Sequence, residues 1–195
     1  MSAAIPSVAC LGVIGRNNNP LHISIFPSYD PLANAFTPIR NPLQFSLLLS
    51  STIDVFDLRS KNSTASGDFG LLHAIDDRLA AYGFETNTGV RMVCIVDMRG
   101  RRVEAGGSGV GPSAAAALGT GGGAAIVGAG LRDAELKPVF RAMQSAYVRL
   151  LQNPFYDPDE HAPLGGKGGK RITSKKFGDA MKRIGEAWTP GVMAL

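Results

Sequence analysis

The sequence predicts a single α+β domain of 195 residues, and three observations carry that prediction. Short apolar runs come in groups joined by turn-forming residues, first at 7–15 and 21–26, then at 69–75, 79–85 and 90–96. Two longer stretches, 41–58 and 131–152, repeat apolar residues at i, i+3, i+4 and i+7. The helices do not alternate with the strands, so the order ββαβββαα points to antiparallel hairpins with segregated helices.

Residues 8–14 are almost continuously apolar, which predicts a strand covered on both faces. Arg16, Asn17, Asn18, Asn19 and Pro20 supply turn chemistry. Leu21, Ile23 and Ile25 then alternate with His22, Ser24 and Phe26, completing a hairpin. Residues 27–40 hold three prolines and no period, and read as a loop. Asn41 before Pro42 is a helix start signal. Phe45, Leu48, Leu49, Thr52, Val55 and Phe56 follow on one helical face. Leu47 and Ile53 widen the apolar surface, which fits either a broad core stripe or contact beyond the helix's own sheet, while Asp54 and Asp57 project elsewhere.

After a polar turn at 61–68, three strands form a meander through Asp76-Asp77-Arg78 and Thr86-Asn87-Thr88-Gly89. Residues 92–96 again lack alternation and belong in the interior. Residues 104–130 and 165–171 are glycine-rich and predict two low-complexity insertions. The next helix places Leu136, Val139, Phe140, Met143, Tyr147, Leu150 and Leu151 on one face, opposite Lys137, Arg141, Gln144, Ser145 and Arg149. Asp133 is a candidate cap, and Pro138 demands either a kinked first turn or a later start. Pro154 and Pro158 flank Phe155-Tyr156 and stop that helix. Ser174 caps a last helix carrying Phe177, Ala180, Met181, Ile184 and Trp188 on one side.

The charge balance of +4 owes much to Lys167, Lys170, Arg171, Lys175, Lys176, Lys182 and Arg183. No aromatic residue interleaves 165–176, so the cluster reads as a solvated surface and no nucleic-acid partner is expected. Cys10 and Cys94 sit in apolar runs without metal spacing and predict buried thiols in a reducing compartment. The first residues lack the basic and apolar regions of a signal peptide. The uncharged stretch between Glu104 and Arg132 is Gly, Ala and Ser rather than large apolar residues, and does not predict a membrane span. Gly119-Thr120-Gly121-Gly122-Gly123 lies far from the preceding strand, and Gly168-Gly169-Lys170-Arg171 ends in Arg where a phosphate loop needs Ser or Thr. His22, His73 and His161 fall in no ligand or nucleophile motif, and Asp76-Asp77 occupies a turn that favours Asp for backbone reasons. No catalytic residue, metal or cofactor is expected, and an interaction protein fits better than an enzyme.

Five strings are distinctive: Arg16-Asn17-Asn18-Asn19-Pro20-Leu21-His22-Ile23; Thr52-Ile53-Asp54-Val55-Phe56-Asp57; Leu131-Arg132-Asp133-Ala134-Glu135-Leu136; Gln152-Asn153-Pro154-Phe155-Tyr156-Asp157-Pro158; and Ser174-Lys175-Lys176-Phe177-Gly178-Asp179. Together they resemble the sedlin family, longin-like small subunits of the TRAPP vesicle-tethering complex, with the TRAPP subunit 2-like branch closest. The resemblance implies one longin-like domain over 1–195, its five-stranded antiparallel sheet bearing one helix on one face and two on the other. It implies a non-catalytic subunit or adaptor that supports assembly of a Rab GTPase exchange factor in ER–Golgi or intra-Golgi traffic. The implied partners are other TRAPP subunits and, indirectly, a Rab GTPase. The implied location is cytoplasmic, peripheral at ER–Golgi and Golgi membranes through the complex.

The resemblance also puts the acidic position matched by Asp54 on a partner-facing helix, with Asp57, Leu47 and Ile53 completing the candidate partner-binding set. Asn153, Pro154, Phe155, Tyr156 and Pro158 form the expected structural motif. A small longin-type coat-adaptor subunit is the alternative within the same class. A small nucleotide-binding enzyme using the glycine-rich loop is the alternative from a different one.

Overall fold

The computed structural model describes residues 4–60, 67–102, 131–163, 165 and 168–195. The predicted insertion at 104–130 lies outside the described residues, as does part of the second. In chain order the elements are β1 (Ala4–Ile14), β2 (Pro20–Ile25), β3 (Ser28–Asp30), β4 (Ala35–Thr37), α1 (Pro42–Ser60), β5 (Asp68–Ala74), β6 (Leu79–Glu85), β7 (Arg91–Arg102), α2 (Lys137–Leu151), α3 (Pro158–His161) and α4 (Lys175–Ala187).

The two hairpin groups join through β1 and β7, giving one antiparallel sheet in the order β2-β1-β7-β6-β5. The strands predicted to be interior are therefore interior, which is why their apolar runs need no polar alternation. A bulge in β1 opposes Val8 to Val96 and Cys10 to Ile95, leaving Ala9 as the extra residue. The bulge lets Val8, Leu11 and Val13 join one core while Ala9, Cys10 and Ile14 join the other.

Those two cores lie on opposite faces of the sheet. Phe45, Leu49 and Phe56 of α1 pack with Leu72, Ala81, Val93 and Ile95. On the other side Val139, Phe140 and Met143 of α2 meet Phe177 and Met181 of α4 over Leu11, Tyr82, Met92 and Cys94. The expected arrangement of one helix against two is thus present. The Trp188 indole donates to the Glu135 carbonyl at 3.1 Å and ties the end of α4 to the start of α2. Both sheet edges are partly occupied: the Ile172 amide donates to Leu21 O beside β2, and Arg59 Nη1 donates to the Phe69 and Leu71 carbonyls beside β5. Covering these groups limits pairing with a foreign strand.

Several local expectations change. The stretch read as loop at 27–40 contains the β3–β4 hairpin, whose strands are too short to show a period. Its turn is built by Asp30, which accepts the Leu32 amide, and by Asn34 at φ 48°. β7 does not stop near Asp97 but continues to Arg102, pairing with Ala4 and Ile5 of β1. Asp97 is tolerated inside because Arg78 pairs with it at 2.6 Å and the Arg99 amide donates to it. Asp133 is not the cap of α2: a short 3-10 turn, Asp133–Leu136, comes first, and α2 begins with Pro138 in its first turn, where a missing N–H costs nothing. Leu151, expected on the core face, is exposed at the end of α2. Ser174 caps α4 as expected, its Oγ accepting the Phe177 amide.

Candidate partner-binding surface

α1 begins with a reciprocal cap: Asn41 Oδ1 accepts the Gln44 amide at 2.8 Å, and Gln44 Oε1 accepts the Asn41 amide at 3.0 Å. Two glycines beneath the helix let it approach the sheet closely. A Cβ at Gly12 would lie 2.6 Å from Leu49 Cδ2, and one at Gly83 would lie 2.5 Å from Phe56 Cζ. With Phe45, Leu49, Thr52 and Phe56 facing down, positions 43, 47, 50, 51, 54 and 58 form the outer stripe.

That stripe is apolar where an ordinary surface helix is polar. Leu43 is 69% exposed, Leu47 63% and Leu58 67%, and Asp54 is the exposed acid among them. Ser50 and Ser51 lie between, their hydroxyls donating back to the Ser46 and Leu48 carbonyls. These side chains leave a low polar surface with one exposed carboxylate at its centre, suited to being covered by another protein.

The four residues expected at this surface divide. Leu47 and Asp54 lie on the outer stripe. Ile53 is half-buried and packs against the core under α1. Asp57 faces the start of the central strand β7, where it pairs with Arg91 at 2.5 Å. Arg91 is buried, donates to Asn18 Oδ1 at 2.8 Å and lies over the Phe56 ring. Asp57 therefore helps seat the helix and stays half exposed. Sequence reasoning missed Leu43 and Leu58, although their spacing of four from Leu47 and Asp54 was the available signal.

The aromatic motif lies elsewhere, after α2. Asn153 Oδ1 accepts the Phe155 amide at 3.2 Å and Asn153 O accepts the Tyr156 amide at 3.0 Å, closing a tight turn. Pro158 opens α3, capped by Asp157. The Tyr156 ring stacks on His161 with centroids 4.7 Å apart, and burial pushes its phenol pKa upward. The asparagine-rich turn between β1 and β2 holds the chain that follows: Arg16 donates to Ala162 O, Asn17 to Pro163 O and Asn19 to His161 O. His161 Nδ1 in turn lies 2.7 Å from Lys170 O. Gly169, at φ +143°, is pressed so closely on this clamp that a Cβ would fall 2.2 Å from His161 O. Two strings far apart in sequence are thereby one structural unit.

Among the described residues no group of three His, Cys, Asp or Glu could hold a metal, and no helix is long and apolar enough to cross a membrane. Burial pushes the Cys10 thiol up to about 12 and Cys94 higher still, so neither is ionised as a nucleophile would be. Burial also lowers His22, whose ring meets Phe177 edge-on between β2 and α4. A groove of about 700 Å3 between α2 and α4 is walled by Arg149, Lys176 and Arg183 and bordered by Asn153.

An antiparallel five-stranded sheet with one helix on one face and two on the other is a longin-like fold. The family model described as Sedlin matches residues 13–187, and the chain belongs to the sedlin family. It is similar to proteins named trafficking protein particle complex subunit 2-like protein. The relative from Rattus norvegicus is 27% identical over 174 residues, covering 86% of this chain and 89% of that protein. The relative from Mus musculus is 26% identical over the same length. The relative from Dictyostelium discoideum is 24% identical over 173 residues, covering 87% of this chain and 90% of its own.

Proposed function

We propose that this chain is a non-catalytic subunit of a trafficking protein particle complex that docks on its neighbours through the outer face of α1. The observation that carries the reading is the exposed stripe of Leu43, Leu47 and Leu58 around Asp54, on the face of α1 that points away from the sheet. Subunit association would bury the leucines, and Asp54 would select a partner bearing a complementary cation or amide. The names of the relatives supply the complex. In that role the chain supports assembly of a Rab exchange factor in ER–Golgi or intra-Golgi traffic, working in the cytoplasm and reaching membranes through its partners rather than by itself.

Co-expression of the tagged chain with the other complex subunits tests this. Asp54→Lys is expected to leave the circular dichroism spectrum and melting temperature unchanged while reducing co-purified subunits at least tenfold. A folded variant that retains its full complement of partners would refute the docking role of α1.

A further inference from the structure

We propose that the groove between α2 and α4 is a second protein-binding site, and that its occupant is an acidic amphipathic helix laid along the pair. The groove is continuous: a section of about 700 Å3 and an adjoining one of about 360 Å3 share Ala146, Arg149, Ala180 and Arg183. Each helix thus contributes an alanine and, close to one turn later, an arginine. Ala146 is buried and Ala180 half-buried, so methyl groups form the floor, whereas Arg149 and Arg183 are exposed. Gln152, Asn153 and Ser174 make one end polar, and Ala142, Ile184 and Ala187 make the other largely apolar. Small side chains in the seam of two helices let a third approach closely and lay its own ridge there.

Charge identifies the occupant. Lys176 joins the two arginines along the groove, and Asp179 is the one acidic side chain that lines it. Among the described residues no ion pair engages Arg149, Lys176 or Arg183. By contrast Arg40, Arg78 and Arg91 are each paired with an aspartate, and Arg16, Arg59 and Arg101 donate to carbonyls. Cations on facing helices repel one another, and carboxylates laid between them relieve that repulsion. A guanidinium also offers each carboxylate two parallel N–H donors. The chain's own residues 105–130 carry no acid and do not complement these charges. Nucleic acid would need exposed rings for its bases, and Phe177, the aromatic residue of the lining, is 3% exposed. A flat lipid surface would meet the tips of the cations but leave the methyl floor of the seam empty. A helix with glutamates bordering an apolar stripe of small residues meets both. The seam lies on the two-helix side of the sheet and α1 on the other, so the site is separate from the proposed α1 surface.

The test is fluorescence anisotropy with the purified full-length chain and a labelled helical peptide of Glu, Ala and Leu, its apolar stripe bordered by glutamates. Saturable binding is expected, weakening as salt is raised. The double variant Arg149→Glu, Arg183→Glu should bind at least tenfold more weakly with no fall in melting temperature, because both side chains are exposed and unpaired. The same peptide with Lys in place of Glu should prefer the double variant to the parent. Arg171→Glu, an exposed cation outside the groove, should bind the acidic peptide as the parent does. So should Asp54→Lys, which separates this site from the α1 surface. The proposal is overturned by absence of binding to the parent, by an equal loss with Arg171→Glu or Asp54→Lys, or by a double variant that does not prefer the lysine peptide. Capture of the parent by phosphatidylserine vesicles in place of the peptide would overturn it as well.

Discussion

The two faces of the sheet are covered by unequal means. α2 and α4 pack on each other as well as on the strands, and their outer surfaces carry Lys137, Arg141, Gln144, Arg149, Lys182 and Arg183. Among the described residues α1 lies on the other face without a second helix, and its outer side carries three exposed leucines. Apart from Val148 and Leu151 near the end of α2, the pair buries its apolar side chains inside the chain and turns charged residues to water. The lone helix is apolar on two sides with a sheet beneath only one of them. The proposed docking surface arises because the helix carries more apolar face than its own sheet covers.

Substitutions on the two sides should separate these roles. The largest effect is expected at Trp188, fully buried on the two-helix side with its indole bonded to Glu135 O. Trp188→Ala should cost about 3–5 kcal/mol. At roughly 2–4 °C per kcal/mol, thermal denaturation should register a fall on the order of 10 °C. Beneath α1, Gly83→Val would drive new atoms into Phe56 and Leu72, an overpacking worth about 1–3 kcal/mol by denaturant titration. A loss there as large as at Trp188 would mean that α1 is no less integral than the pair.

A smaller effect belongs to Asp76, whose carboxylate accepts the Arg78 and Leu79 amides and pairs with Arg40 at 2.7 Å. Partial burial opposes its ionisation, but the Arg40 guanidinium and the two amides outweigh burial and hold its pKa below the ordinary value. A depressed folded pKa contributes stability that is complete above the unfolded value of about 3.9 and is lost as pH falls through the folded value. Asp76→Ala should therefore cost about 1 kcal/mol at neutral pH. Chemical denaturation should find the difference from the parent shrinking in strong acid, and a difference that grows there would reverse the assigned sign.

Leu47→Asp should have the smallest effect on stability, within about 0.5 kcal/mol, because the side chain is already in water. Co-purification with complex subunits should nonetheless collapse, since a second carboxylate beside Asp54 would have to be desolvated at the interface. Retained assembly with this variant would place the interface elsewhere.

Much of this was legible from residue spacing. The interior strands announced themselves as unbroken apolar runs, and Asn41-Pro42 and Ser174 marked helix starts that the structure places within a residue. The expectation for α1 was also visible, because Leu47 was surplus to any single face. The β3–β4 hairpin was hidden, since three-residue strands have no period and their prolines suggest loop. The continuation of β7 past Asp97 was hidden as well, because the partner that makes a buried carboxylate tolerable, Arg78, belongs to another strand pair.

The sequence by itself determined the five strands of the main sheet, the three long helices and most of the side that each buries, because helix and strand periods are local properties of the chain, and its distinctive strings pointed to the family. Only the tertiary structure decided what the charged and aromatic residues do. It turned Asp57 inward to Arg91 and left Asp54 outside, though both stand on one helix three residues apart. It buried Tyr156 against His161 and left Phe155 in water, though they are neighbours. It joined the asparagine turn to the end of α3 and the residues after it by three hydrogen bonds across more than a hundred residues. Such roles depend on which groups from distant segments arrive within hydrogen-bonding reach, and spacing along the chain carries no record of that.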